Sequence, residues 1–348
     1  MIRPFDWRDL ALLHRLRDRG LCLDSEQAYT HGAHALQHAL LGAFTPGGGT
    51  ATLVARPSEP GLEPAIAQLL QRNGDPVARV TYFAPHEALL QPSGQSLLEG
   101  LCQAAGARGA RNLIAEADED SLAFEGLRQA GFAIYARQQI WRLPPQAEAR
   151  RPGDSPQAER PPARRPRPAA RRKPEADRSL TMWRGETSRD RPAIHLLYLN
   201  LVPALVQQIE PPPSRSGRGL VHWREGELLG YIELASGPRG IWIQPFFHPA
   251  AERSEELIAA FLRQLDNGRG RPVHACVRSY QGWMNCHLER LGFELCEGQA
   301  VMVKRLAAAA RRPALAPLPA LEGKQPEPTA PFAHWQDFPP APGAGHNR

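Results

Sequence analysis

The chain has 348 residues, a formal net charge of +6 and an apolar fraction of 42%. That length exceeds what one hydrophobic core usually sustains, and it predicts about two domains with enough apolar residues for a core in each. No apolar run reaches the ~18 residues of a helical membrane span, and the charged start Met1-Ile2-Arg3-Pro4-Phe5-Asp6 is unlike a secretory signal. Five scattered cysteines (Cys22, Cys102, Cys276, Cys286, Cys296) exclude a disulfide framework, so the expected compartment is the cytoplasm.

In chain order, Ile2-Arg3-Pro4 reads as a short strand, and Asp6 is placed to cap a helix reaching about Arg19 with Leu10, Leu13 and Leu16 on one side. A second helix is predicted over 25–41, ending near Gly42 and the Pro46-Gly47-Gly48-Gly49 turn. Thr50–Ala55 is β-prone. Ala65–Gln71 and Val77–Ala84, separated by Asn73-Gly74-Asp75-Pro76, form a hairpin pattern. An apolar-striped helix over 96–105 precedes the strand Asn112–Glu116. Ser121 then caps a helix over 122–130, and Gly131 and Phe132 lead into strand residues ending at Leu143.

Pro144 to Pro174 holds nine prolines, and between Gln146 and Arg178 ten Lys+Arg stand against five Asp+Glu. That surplus of five accounts for nearly all the net charge and leaves the remainder close to neutral, which disfavours a general nucleic-acid partner. A segment so poor in apolar groups is expected to be an extended linker, at most gripping nucleic acid nonspecifically through phosphates. The region 307–348 repeats the pattern with nine prolines and reads as a disordered tail.

After the linker the order recurs. A helix over 192–209 is interrupted by Pro203, the hairpin 220–224/228–235 turns at Glu225-Gly226-Glu227, and Gly237-Pro238-Arg239-Gly240 leads into the strand 241–247. A helix over 255–265, a strand over 273–277, a helix over 281–291 and a strand over 300–304 follow. Leu127-Arg128-Gln129-Ala130-Gly131-Phe132 and Leu288-Glu289-Arg290-Leu291-Gly292-Phe293 occupy corresponding helix exits. Each offers a glycine for a left-handed cap and an aromatic that enters the core, the mark of an internal duplication.

This duplicated hairpin–helix–strand–helix–Gly-Phe order resembles the GNAT superfamily of acyl-CoA N-acyltransferases. The resemblance implies an α/β fold of two GNAT-like modules, 1–143 and 181–306, joined by the linker 144–180 and followed by the tail. Each module is expected to be a mixed, mostly antiparallel sheet flanked by helices. It further implies acyl transfer from acetyl-CoA to an amine acceptor, with the cofactor in a splayed gap of the sheet and its pyrophosphate on amides at a helix N-terminus. The positions matching that cradle are Ala84, Ser93, Gly94 and Gln95 in the first module and Arg253 and Ser254 in the second. Neither reproduces the family's Gln/Arg-x-x-Gly-x-Gly/Ala pattern. The tyrosine that the family places four residues before the closing glycine is replaced by Leu127 and Leu288, which cannot donate a proton.

A general base for an amine is sought among carboxylates on the central strands: Glu116 and Asp118 by position, with Glu233 as another. Each has a competing reading as a solvated or helix-capping group. His31, His34 and His38 share a helix face, but no carboxylate or cysteine joins them at ligand spacing, so a polar rim is expected rather than a metal. Two functions stay open: an acyltransferase, and a non-catalytic GNAT-like binding or scaffold protein with degenerate cofactor sites. The acceptor and the oligomeric state are not specified by the sequence.

Overall fold

The computed structural model describes residues 1–32, 49–56, 63–72, 74–145, 182–213, 219–251, 253–267 and 270–306. His34, His38, the linker and the tail lie outside the described residues.

The first half opens with β1 (Ile2–Pro4) and a 3-10 turn capped by Asp6, followed by α1 (Leu10–Leu16), which buries Leu13 and Leu16. Then come the two-residue strand β2 (Leu21–Cys22), α2 (Ser25–His31) and the antiparallel strands β3 (Thr50–Ala55), β4 (Ala65–Gln71) and β5 (Val77–Ala84). A 3-10 turn (His86–Leu90) and α3 (Pro92–Ala107) cross over to β6 (Asn112–Ala117), which α4 (Leu122–Gln129) connects to β7 (Ala133–Leu143). The second half runs through β8 (Arg184–Gly185), α5 (Arg191–Leu201), α6 (Ala204–Gln207), β9 (Gly219–Arg224), β10 (Glu227–Ser236) and β11 (Ile241–Phe247). It ends with α7 (Ser254–Gln264), β12 (Val273–Arg278), a 3-10 turn, α8 (Asn285–Arg290) and β13 (Glu294–Arg305).

The thirteen strands of the described residues form one sheet in the order β1-β3-β4-β5-β6-β13-β7-β12-β11-β10-β9-β8, with β2 added against β5. The order records an exchange. The last strand of the second half, β13, pairs with β6 of the first, while β7 of the first half pairs with β12 of the second. The two exchanged strands also pair with each other, antiparallel, at the centre. Packing follows the exchange: Ala300 and Met302 of β13 lie in the first half's core, and Trp141 of β7 lies in the second half's core with Trp183, Phe247 and Phe261.

The duplication is visible in geometry. Gly131 and Gly292 have φ of +83° and +86°, and Phe132 and Phe293 after them are buried, as the paired helix exits predict. A second duplicated device is an arginine six residues before an aspartate. Arg3 grips buried Asp9 through two hydrogen bonds of 2.7 Å, and Arg184 grips buried Asp190 at 2.6 and 2.8 Å. Both aspartates also accept a backbone N–H three residues upstream, from Asp6 and Thr187.

The described part of the second helix is shorter than predicted. α2 ends at His31, with Gly32 at φ +75°, and 33–48 lies outside the described residues. The helix expected over 281–291 is a 3-10 turn over 279–284 followed by α8. No helix among the described residues is long and apolar enough to cross a membrane.

Candidate functional site

Two parallel pairs open into gaps. β5 and β6 pair only over Val77–Arg79 with Asn112–Ile114, and β11 and β12 only over Ile241–Ile243 with Val273–Ala275. Beyond those residues the strands diverge and expose inner backbone edges. Such edges need partners when buried.

In the first gap the chain supplies the partners itself. Leu21 and Cys22 pair antiparallel with Phe83 and Tyr82 of β5. The Leu23 N–H donates to the Thr81 carbonyl (3.2 Å), and the Glu116 N–H donates to the Leu23 carbonyl (2.9 Å). Residues 21–23 therefore bridge both edges of the gap in which the family resemblance places the cofactor. In the second gap, Gln281 Nε2 donates to the Pro245 carbonyl (3.3 Å). The N and C=O of a strand residue face the same neighbour, so the nitrogen of Pro245 also faces the gap and has no hydrogen to donate.

The predicted cradles are built for packing. Ala84 is the buried last residue of β5. Gly94 sits in the first turn of α3, and a Cβ there would lie 1.9 Å from the Ala88 carbonyl oxygen, so the 86–90 turn fills that space. Gln95 ties the same turn down by donating to the carbonyls of Leu89 (2.6 Å) and Gly126 (2.9 Å). Ser93 Oγ is buried and has no partner among the described residues. In the second half Arg253 pairs with Glu256 at 2.5 Å and Ser254 is buried. Glu255 and Glu256 place two carboxylates in the first turn of α7, which opposes a phosphate there. Leu127 and Leu288 are fully buried core residues. In this geometry residues 21–23 fill the first gap, and two carboxylates stand in the first turn of α7 beside the second.

Where β6 ends, a cleft of about 600 Å³ opens between the two halves. Glu116 and Asp118 both line it, so the structure brings the two carboxylates predicted from sequence to one place. Glu116 is buried: one oxygen accepts the Ser25 N–H (2.8 Å), and the other lies 3.4 Å from Arg79 Nη1. Asp118 is exposed and accepts the Asp120 N–H (3.0 Å). Glu233 lies elsewhere, on a small cavity of about 90 Å³ beside Arg79 and Glu210.

The rest of the wall escaped the sequence reading. β13 contributes Glu297 and Gln299, the 237–240 turn contributes Arg239, and His274 of β12 lies under the Tyr29 ring at 4.3 Å between centroids. Gln299 accepts from Ser25 Oγ (2.8 Å) and Gln138 Nε2 (2.9 Å), fixing the exchanged strand to α2. Burial, aided by the nearby Arg142 charge, pushes His274 down to about 4, so its ring is neutral near pH 7. Burial pushes the Cys22 thiol up to about 11, which keeps it protonated.

Behind the cleft lies a buried charge network. Burial raises Asp24 to about 7; Arg79 opposes that shift, and Glu116 and Glu26 reinforce it. Glu210 accepts from Tyr135 and from Arg278 Nη2 (2.7 Å); burial works against its charge, yet Arg278 and Arg79 hold its carboxyl below the usual range. Among the described residues no His/Cys/Asp/Glu group has the arrangement of a metal site.

Two gaps, two Gly-Phe exits and a duplicated order of elements now stand together. This mostly antiparallel α/β layout with two splayed parallel pairs is GNAT-like, as the sequence resemblance implies. No family model and no curated protein matches the sequence. Among solved structures, the chain is similar to a tandem GNAT protein from the clavulanic acid biosynthesis pathway. The identity is 16% and the TM-score 0.48, over 88% of this chain and 98% of that one. It is also similar to a GCN5-related N-acetyltransferase from Sphaerobacter thermophilus, at 14% identity and a TM-score of 0.49 over 88% and 95%. A GNAT-family acetyltransferase from Colwellia psychrerythraea gives 12% and 0.40 over 88% and 99%. A likeness of this degree assigns no function, which has to be argued from the site.

Proposed function

We propose that this tandem GNAT-like chain binds an amine-bearing small molecule in the cleft between its halves and does not hold acyl-CoA in its first gap. The observation that carries this reading is the backbone bridge of residues 21–23, which bonds both edges of that gap. The cleft volume, about 600 Å³, suits a small ligand. Its lining has three carboxylates (Glu116, Asp118, Glu297) against one guanidinium (Arg239), which favours a cationic partner.

The test is calorimetric titration of the full chain with acetyl-CoA and, separately, with a panel of primary amines, checked by thermal shift. A ligand at a hundred times its Kd stabilises by ~2.7 kcal/mol. Amine binding without acetyl-CoA binding is the expected result; tight acetyl-CoA binding would sink the reading.

A second reading, acyl transfer to the same amine, is favoured by the shortness of the bridge. β2 has two residues and is held by few backbone bonds, so it is the piece whose departure would free the gap. Turnover of acetyl-CoA in the presence of an amine separates this reading from the first.

A further inference from the structure

Counting which charges of the cleft are already matched narrows its ligand. Glu116 is 5% exposed and its charge is answered by Arg79 and the Ser25 N–H. Glu297 is exposed, and its donors are neutral: Gln299 Nε2 at 2.8 Å and the Tyr29 hydroxyl. Among the described residues Asp118 is bonded only by the N–H of Asp120 in its own loop (3.0 Å). Arg239 is exposed on its turn and forms no ion pair with another described residue. The open charges are thus two carboxylates and one guanidinium.

His274 lines the cleft, is 4% exposed, and leaves Nδ1 without a partner among the described residues. That nitrogen faces the backbone of Gly240, where an added Cβ would stand 3.2 Å from it. The half-buried Tyr29 ring, which covers His274 at 4.3 Å between centroids, adds a flat surface on which an alkyl stem packs while its charged ends reach the polar groups.

Resting on the ligand-binding reading above, we propose that the cleft takes a free basic amino acid, a ligand with two cationic nitrogens and one carboxylate. The two nitrogens answer Asp118 and Glu297, the carboxylate answers Arg239, and the methylene stem lies on the Tyr29 ring. A monoamine leaves a carboxylate and the guanidinium unmatched. A diamine without a carboxylate leaves Arg239 facing added positive charge.

The experiment titrates the full chain with lysine, norleucine and putrescine, and repeats the series with Arg239→Gln and Glu297→Gln. Both residues are exposed, so neither variant should alter folding, and thermal unfolding checks this. Lysine is expected to bind at least tenfold more tightly than norleucine or putrescine. Each variant should weaken lysine by about tenfold, the scale of one lost charge-assisted hydrogen bond, while Arg239→Gln leaves putrescine unchanged or improved. Putrescine or norleucine binding as tightly as lysine, with Arg239→Gln neutral, would overturn the proposal and leave the amine-binding reading standing. If no amine binds at all, both fail.

Discussion

Gly94→Ala separates a phosphate cradle from a packing junction. A Cβ at this position would lie 1.9 Å from the Ala88 oxygen, 2.6 Å from the Ala88 carbonyl carbon and 3.1 Å from Leu89 Cα, all backbone atoms that no rotamer change can move. Overpacking of this kind costs about 1–3 kcal/mol, set against a gain of up to ~1 kcal/mol from replacing glycine in a helix. Gly100 on the same helix is the internal control. A Cβ there meets the side-chain tips of Leu53 (3.2 Å) and Ile2 (3.3 Å), which can yield, so Gly100→Ala should be neutral or slightly stabilising. For a unit of this size the Gly94 penalty lowers Tm by roughly 2–8 °C. The assay is thermal unfolding by circular dichroism beside calorimetric titration with acetyl-CoA. An unchanged Tm together with loss of a measurable acetyl-CoA affinity would refute the packing argument and restore Gly94 to a cradle.

Other consequences follow from the same geometry. Arg3→Ala and Arg184→Ala should each cost about 1–3 kcal/mol in urea unfolding at pH 7, because a buried aspartate loses two charge-assisted bonds. For Arg184 the loss should shrink at pH 3: its hydrogen bonds hold Asp190 well below the usual carboxylate range, so the stability from the pair is present above about pH 4 and fades as pH falls. Asp24→Asn should match the wild type near pH 4 and exceed its stability at pH 8. The folded-state value of Asp24 is raised from 3.8 to about 7, so the wild type loses stability as pH climbs through that window, by ~4 kcal/mol at most. Asparagine keeps a side-chain oxygen for the Gln27 N–H at the start of α2. Gly237→Ala would place a Cβ 2.2 Å from the Thr30 carbonyl oxygen, lift the 237–240 turn off α2, and weaken amine binding in the cleft at least tenfold by calorimetry.

The strands, both hairpins and the Gly-Phe exits were legible because period-2 apolarity, turn glycines and caps are local signals. Glu116 was legible as a strand-end carboxylate, but its partners were not. Ser25 and Arg79 come from distant segments, and pattern reading names no pairing partner. β2 was missed because Leu21-Cys22-Leu23 is too short to show a period, and its stability comes from the gap it fills. The exchange of β7 and β13 was hidden for a similar reason: hydrophobic alternation identifies a strand, yet does not say which neighbour it joins. One signal was present and unused. Arg3-Pro4-Phe5-Asp6-Trp7-Arg8-Asp9 and Arg184-Gly185-Glu186-Thr187-Ser188-Arg189-Asp190 share an Arg-x5-Asp frame that marks the start of each half and folds into the same clamp.

The exchange also makes a prediction about the halves. Among the described residues β7 pairs only with β12 and β13, both from the second half, and β13 covers the Asn112–Ala117 edge of β6. A fragment of residues 1–143 therefore loses every sheet partner of β7 and bares six residues of β6, along with the core positions filled by Ala300 and Met302. Unpaired edges recruit other chains, and two copies can satisfy each other by exchanging β7. Size-exclusion chromatography of the fragment should show dimer or aggregate, and adding residues 182–306 should return a one-to-one complex with the Tm of the intact chain. A dispersed monomer of 1–143 as stable as the whole would mean that β7 closes its own half and that the exchange contributes nothing. The cleft would then lose its reason for being composite, since Glu297 and Gln299 reach Ser25 and Tyr29 only because β13 crosses into the first half.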